Sequence, residues 1–179
     1  VLGLISIYLY MQKSRDELLV NAKAELDVVA SIKVLELKSH FAKHKQNIDD
    51  LARIFTEQIK HQSFQTVWAT IRPAINPNTA TTYFIDESAT VWAVPEQWQS
   101  NMSQELDLDN NLFYNVVRGD LGQSDEGSWT SVYYDDVIHR WLMTYAVPIF
   151  QQGKFVGVLG GGVDVDPIIE HLIQTYSSF

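Results

Sequence analysis

WTSVYYDDVIHRWLMTYAVPIFQQGKFVGVLGGGVDVDPIIEHL, residues 129–172, is the stretch that decides how this chain folds. Short runs rich in β-branched and aromatic residues alternate with polar breaks at Asp135-Asp136 and Gln151-Gln152-Gly153. Such runs read as strands and such breaks as tight turns. The spacing predicts three strands in succession, 128–134, 139–150 and 154–165. Short connections between them make the pairing antiparallel. Alternation puts Trp129 and Tyr133 on one face of their strand, and Trp141, Met143 and Tyr145 on one face of the next. The run Gly160-Gly161-Gly162 sits inside the last strand, and no Lys-Ser/Thr follows it as a phosphate loop would require. Close backbone packing, or room for a ligand, explains it instead. Asp166 is placed to cap a closing helix whose first turn holds Pro167.

Upstream, Thr82-Tyr-Phe-Ile-Asp-Glu-Ser-Ala-Thr-Val-Trp-Ala93 reads as a hairpin around a polar 86–88 turn. Residues 106–118 predict a short helix with Asp109 as N-cap. Five strands with one helical insertion between the second and third make an antiparallel sheet of PAS-like topology. Further upstream, residues 64–72 form a helix that ends at Pro73, followed by the turn-rich Asn76-Pro77-Asn78-Thr79.

The first third of the chain is a different kind of structure. Neither Gly nor Pro occurs between Leu4 and Arg72, whereas eight of the nine glycines follow Arg118. Apolar residues recur at three- and four-residue steps, as Leu19, Ala22, Leu26, Val29 and then, after a phase shift, Leu37, Phe41, His44, Ile48, Leu51, Phe55. One helix is therefore expected over 13–60, at ~1.5 Å per residue roughly 70 Å long. A small domain cannot bury that length on itself, so its membrane-proximal part is expected to pair with a second copy in a parallel homodimer. Val1 to Met11 (VLGLISIYLYM) is apolar, begins in mid-run and stops abruptly at charged residues. It is expected to be the tail of a truncated transmembrane segment over 1–12. His40 and His44 lie one turn apart, but no HExxH pattern and no third ligand accompany them, so no metal is expected.

Composition narrows the function. Cysteine is absent, which removes disulfides, thiol catalysis and cysteine-rich zinc sites. A net charge of -9 argues against nucleic acid. The charge is uneven: residues 73–179 hold only Arg118, Arg140 and Lys154 against fourteen acids.

In residues 129–172 the order of features resembles the closing half of a Cache (PDC-type) sensor domain. Such domains show a Trp, a Tyr closely followed by Asp, a Thr-containing strand ending Pro-hydrophobic, a Gly turn, and a Gly-Val-hydrophobic-Gly-x-x-Asp strand that feeds the exit helix. Here Trp129, Tyr133, Asp135, Thr144, Pro148, Gly153, Gly157, Val158 and Asp164 hold those places. Residues 82–94 resemble the opening hairpin. The resemblance implies an α+β domain, a long N-terminal helix followed by a PAS-like five-stranded antiparallel sheet with flanking helices. It implies a module that lies in the periplasm between membrane spans of the bacterial inner membrane; most such relatives carry two, whereas here a single one is expected, over 61–179, ending in an exit helix. Such a module serves a diguanylate cyclase, histidine kinase or chemotaxis output. Amino-acid-sensing relatives carry Arg-x-Arg before the aromatic pair matched by Phe113-Tyr114. Those two arginine places are occupied by Asp109 and Asn111, so the resemblance does not carry amino-acid specificity with it.

Sensor pockets are apolar and aromatic with a few polar groups. Trp98, Phe113, Tyr114, Trp129, Tyr133, Trp141 and Asp164 are the expected pocket residues. An acidic domain favours an amine-bearing or neutral ligand, with Asp164 as ammonium partner and Tyr114 or Trp129 as a cation–π face. The pairs Asp135-Asp136 and Asp164/Asp166 have no nucleophile or histidine beside them, so turn and cap roles are expected and no catalysis or cofactor. The expected function is ligand sensing, and the alternative is a dimerisation module without a ligand.

Overall fold

A computed structural model describes residues 2–76, 79–98, 107–109, 111–118 and 126–177. The chain divides into two units, Val1–His40 and Phe41–Phe179. Helix α1 (Leu2–Gln58) makes up the described part of the first unit and opens the second. After it come α2 (Phe64–Ile71), a 3-10 turn over Arg72–Ala74, β1 (Thr81–Asp86), β2 (Val91–Val94) and α3 (Leu112–Arg118). Strands β3 (Ser128–Trp129), β4 (Tyr133–Asp135), β5 (Arg140–Gln151) and β6 (Lys154–Asp164) then lead into α4 (Asp166–Ser177). The predicted α+β architecture is therefore present: a long helix, then an antiparallel sheet with helices against it.

Helix α1 runs unbroken for 57 residues because no Pro, and no Gly after its first turn, interrupts it. Its surface carries i,i+3 and i,i+4 ion pairs such as Lys33–Glu36 and Lys45–Asp49. No helix among the described residues is long and apolar enough to cross a membrane. Helix α2 starts where sequence predicts, with Ser63 capping: its hydroxyl oxygen accepts the Thr66 amide at 3.3 Å. Helix α3 is shorter than predicted and is capped by Asn111, whose side-chain oxygen accepts the Tyr114 amide at 2.9 Å. Asp109 lies outside it in a turn.

The sheet order is β2-β1-β6-β5-β3, with β4 also pairing β5, and every pairing is antiparallel. Strand β6 is central, flanked by β1 and β5. The β5–β6 turn places Gln152 and Gly153 at φ 54° and 80°. Two left-handed residues in succession make the type I′ geometry that matches strand twist. At the β1–β2 turn, Asp86 Oδ1 accepts the amides of Ser88 and Thr90, both at 2.9 Å.

Six strands appear where five were expected, because the run 128–134 is broken in two. Trp129 lies opposite Tyr145 and Tyr133 opposite Leu142. Three residues, 130–132, thus face two, 143–144. One extra residue reverses the side-chain alternation. Trp129 and Tyr133, expected on one face, consequently face opposite ways. The Thr130 hydroxyl accepts the Thr144 amide at 3.0 Å and completes the ladder there.

Alternation divides the core between two faces. Phe84, Tyr145, Val147, Ile149 and Leu159 pack against Ile48, Leu51, Ala52 and Phe55 of α1 and Val67, Trp68 and Ile71 of α2. The apolar stripe of α1 from Ile48 to Phe55 is therefore covered by the chain's own sheet. On the opposite face Tyr83, Ile85, Val91, Ala93, Ala146 and Val158 pack against Trp98 and, from α3, Phe113, Tyr114 and Val117.

Candidate functional site

The face of the sheet turned toward α3 carries a strip of buried hydroxyls, and two glycines of β6 make room for it. A side chain on Gly160 would overlap the Tyr83 hydroxyl, and one on Gly162 would come within 2.6 Å of Thr81 Oγ1 and 3.4 Å of Thr144 Oγ1. The register explains this: Thr81 is paired with Gly162, Tyr83 with Gly160, and Thr144 with Gly162 from the other side. Tyr133 extends the strip from β4, its hydroxyl 2.8 Å from Thr144 Oγ1. Thr81 and Tyr83 are fully buried, and their hydroxyls have no hydrogen-bond partner among the described residues.

Burial pushes the Tyr83 phenol well above its ordinary value of 10.0. Burial also raises Tyr133 and outweighs the opposing effect of its Thr144 hydrogen bond. Both phenols therefore remain neutral donors at physiological pH. None of these hydroxyls bonds a histidine or carboxylate among the described residues, the adjacent base that would activate a nucleophile.

Aromatic rings cover the strip. Trp98 stacks on Tyr83 with ring centroids 5.1 Å apart, and Phe113 lies 5.3 Å from both Tyr83 and Tyr133. Trp98 is held by its Nε1–H, which donates to Asp135 Oδ2 at 2.8 Å. The other Asp135 oxygen accepts the amides of Val137 and Ile138 at 2.9 and 3.1 Å. This buried carboxylate is thus satisfied by three donors, the condition under which burial of a charge is tolerable. Tyr114 packs edge-on to Phe155 at 5.6 Å.

At the end of the strip a cleft of about 640 Å³ opens between Thr79, Ala80, Gln97, Ile138, Arg140 and Asp164. Asp164 and Arg140 stand on the same faces of their strands as Gly162 and Thr144. Asp164 is mostly buried and its Oδ1 accepts the Asp166 amide at 3.0 Å. Its Oδ2 is in contact with Nη1 of Arg140, whose side chain is 57% exposed. A fixed carboxylate and a more exposed guanidinium therefore share the cleft.

Of the residues expected to form a pocket, Trp98, Phe113, Tyr114, Tyr133 and Asp164 come together on this face. Trp129 does not. It lies on the helix side, its ring 5.3 Å from Phe41, 5.8 Å from His44 and 5.2 Å from Tyr145. Trp141 is 46% exposed and packs edge-on to Tyr134. Thr81, Tyr83 and Thr144 were not anticipated, because only the register of β1 and β5 against β6 places them over the glycines. Of the two positions where relatives carry arginine, Asn111 caps α3 and Asp109 is exposed. His44 points into the helix side of the sheet, where its Nε2 lies 2.9 Å from the Gly161 carbonyl. Among the described residues no three His, Cys, Asp or Glu side chains gather to hold a metal.

The family model that matches, over residues 51–170, is the methyl-accepting chemotaxis protein-like, first PDC sensor domain. Solved structures with the same fold include the ligand-binding domain of the Pseudomonas aeruginosa PAO1 amino acid chemoreceptor PctB in complex with L-Gln. It is 22% identical with a TM-score of 0.60, covering 78% of this chain and 54% of that one. That of the Pseudomonas aeruginosa PAO1 amino acid chemoreceptor PctC with GABA is 13% identical, with a TM-score of 0.62, covering 77% of this chain and 61% of that one. The sensory domain of the Campylobacter jejuni chemoreceptor Tlp3 with isoleucine bound is 16% identical, with a TM-score of 0.56, covering 77% and 57%. The chain spans little more than half the length of these structures. No curated protein matches it.

Proposed function

We propose that this chain, which belongs to the methyl-accepting chemotaxis protein-like, first PDC sensor domain family, binds a small amine-bearing molecule on the α3 side of its sheet. The domain is the sensor of a signalling receptor, and ligand occupancy is what it reports to the output. The observation that carries the reading is the Arg140–Asp164 contact in the cleft. A ligand with an ammonium group alone would have to compete with a resident guanidinium for Asp164. One that also carries a carboxylate gives Arg140 a partner in return, as a two-pronged hydrogen bond. Such a zwitterion is neutral overall, which suits an acidic domain. Molecules of that class, L-Gln and GABA, occupy the related domains of PctB and PctC.

The receptor is placed in the bacterial inner membrane with this domain in the periplasm, a reading supported by the family. The apolar Val28, Ile32 and Leu35, exposed at i, i+4 and i+7 on α1, favour a parallel homodimer through that helix. A chemotaxis output fits the family description best.

A thermal-shift screen of amines, amino acids, dicarboxylates and sugars tests the ligand class. A ligand at 100 times its Kd adds about 2.7 kcal/mol, a shift of several degrees for a domain this size. Asp164→Asn should abolish the amino-acid shift, and Arg140→Ala should weaken amino acids while sparing simple amines. No shift with any class would leave the dimerisation reading in possession of the field.

A further inference from the structure

We infer that the cleft regulates the closing helix: an occupant on Asp164 tightens the root of α4, and the empty cleft leaves that root free to fray. The inference rests on the reading of the cleft as the ligand's charged-group site and adds how its occupancy is registered.

Helix α4 is held at one end. Among the described residues, none from 166 onward belongs to either buried cluster of the core. Ile169 and Ile173, one turn apart, are 44% and 62% exposed. What fastens the helix lies in its first turn and just before it. The Val165 amide donates to the Trp141 carbonyl at 2.8 Å. The Asp166 amide donates to Asp164 Oδ1 at 3.0 Å, and Asp166 Oδ2 accepts the Trp141 amide at 3.4 Å.

These groups belong to the cleft or adjoin it. Asp164 and Arg140 line it, and so does Pro167 in the first turn of α4. Val165 and Asp166 follow Asp164 directly, and Trp141 follows Arg140. The Asp164 carboxylate is divided between two duties: Oδ1 holds the Asp166 amide and Oδ2 the Arg140 guanidinium. When the first turn of α4 frays, Asp164 loses the bond that fixes its direction, and Pro167 leaves the cleft wall. A ligand ammonium group then meets a carboxylate that must first be ordered, which costs side-chain entropy. The fastened state therefore binds more tightly, and an occupant shifts the population toward it. The coupling is reciprocal, so whatever loosens α4 also weakens the ligand.

Hydrogen–deuterium exchange on the whole chain tests this, because the amides of a helix end exchange by local fraying without global unfolding. In the ligand-free protein, Asp164→Ala should speed exchange across α4 about fivefold, the effect of losing a helix cap. Asp164→Asn keeps a side-chain oxygen for the Asp166 amide and should stay near wild type. Saturating L-glutamine or GABA, used as probes, should slow α4 in the wild type by a similar factor. The same probes should leave the β1–β2 turn, paired at the other end of β6, unchanged. In Asp164→Asn, where the ammonium group has lost its partner, the probes should leave α4 unchanged as well. Equal exchange in Asp164→Ala and wild type would overturn the inference, since α4 would not be fastened at Asp164. A probe that raised the melting midpoint yet left α4 exchange as it was would also overturn it, while the ligand reading of the cleft would stand. If neither probe raised the midpoint, the reading of the cleft as an amino-acid site and the inference would fall together.

Discussion

His44 Nε2 hydrogen-bonds the carbonyl of Gly161 at 2.9 Å, on the reverse side of the strand whose neighbouring glycines, 160 and 162, face the hydroxyl strip. A carbonyl can only accept, so the hydrogen resides on Nε2. Strand β5 is tied to α1 in the same manner, by the Tyr145 hydroxyl donating to Asp49 at 3.1 Å next to the strip-facing Thr144. Each of the two strands thus meets the candidate site with one residue and α1 with the next.

Replacing His44 with Leu removes this buried hydrogen bond between α1 and the central strand. The expected loss is about 1 kcal/mol, read as a lower urea midpoint with unchanged slope. A variant as stable as wild type would show that the bond contributes nothing to anchoring the helix.

Trp129→Ala should act on stability and not on ligand affinity. The indole fills the space between Phe41, His44 and Tyr145 on the helix side. Since it is only half-buried, the loss should fall near the lower end of the range for such truncations, about 3 kcal/mol. Calorimetry at a temperature where the variant stays folded separates the two effects. A large loss of affinity there would put Trp129 in the site after all.

Alanine at Gly160 should be worse tolerated than at Gly161. At 160 the new methyl meets the Tyr83 ring and hydroxyl, stacked under Trp98 and unable to swing away. At 161 it meets the Cδ1 of Ile48 at 2.5 Å, a terminal methyl that one side-chain rotation moves, and beyond it the His44 Nε2 at 3.2 Å. Overpacking of the first kind costs about 1–3 kcal/mol. Denaturation curves in which Gly161→Ala is the less stable variant would contradict the packing described.

The buried phenols predict an alkaline limit. Unfolded tyrosines ionise near pH 10, whereas burial holds Tyr83 and Tyr133 above that. Above pH 10 the unfolded chain therefore binds fewer protons than the folded one, and stability falls as pH rises. Below pH 10 the contribution is fully present. Each phenol adds a slope of at most about 1.4 kcal/mol per pH unit. Tyr83→Phe and Tyr133→Phe should each flatten the decline; a decline of unchanged steepness in both would assign it to other groups.

Association through α1 is tested at Val28 and Ile32, which are exposed. Ile48 is unsuitable despite belonging to the same helical pattern, because it is buried against the sheet. Val28→Glu with Ile32→Glu should reduce the dimer fraction in sedimentation at micromolar protein and leave the melting of the sheet domain in place. A sedimentation profile indistinguishable from wild type would remove α1 as the interface.

The elements themselves were legible in the sequence because their signals are local. A stretch free of Gly and Pro with 3-4 spacing can only be a helix, and Gln152-Gly153 between β-branched runs can only be a tight turn. The order of Trp, Tyr-x-Asp, Pro, Gly and Asp in 129–172 was enough to place the chain in its family. Five of the seven expected pocket residues share a face, but alternation along a continuous strand accounts only for Asp164 on β6; Trp98 and, from α3, Phe113 and Tyr114 reach that face from outside the sheet. The rest needed the tertiary structure. The extra residue in 130–132 turned Trp129 to the helix side, and nothing in the one-dimensional pattern marks where a strand breaks. Which side chains lie over Gly160 and Gly162 depends on the register of three strands drawn from distant parts of the chain. Register is fixed by packing across the whole sheet, so Thr81 and Tyr83 came to lie over the glycines of β6 only when β1 was laid against it.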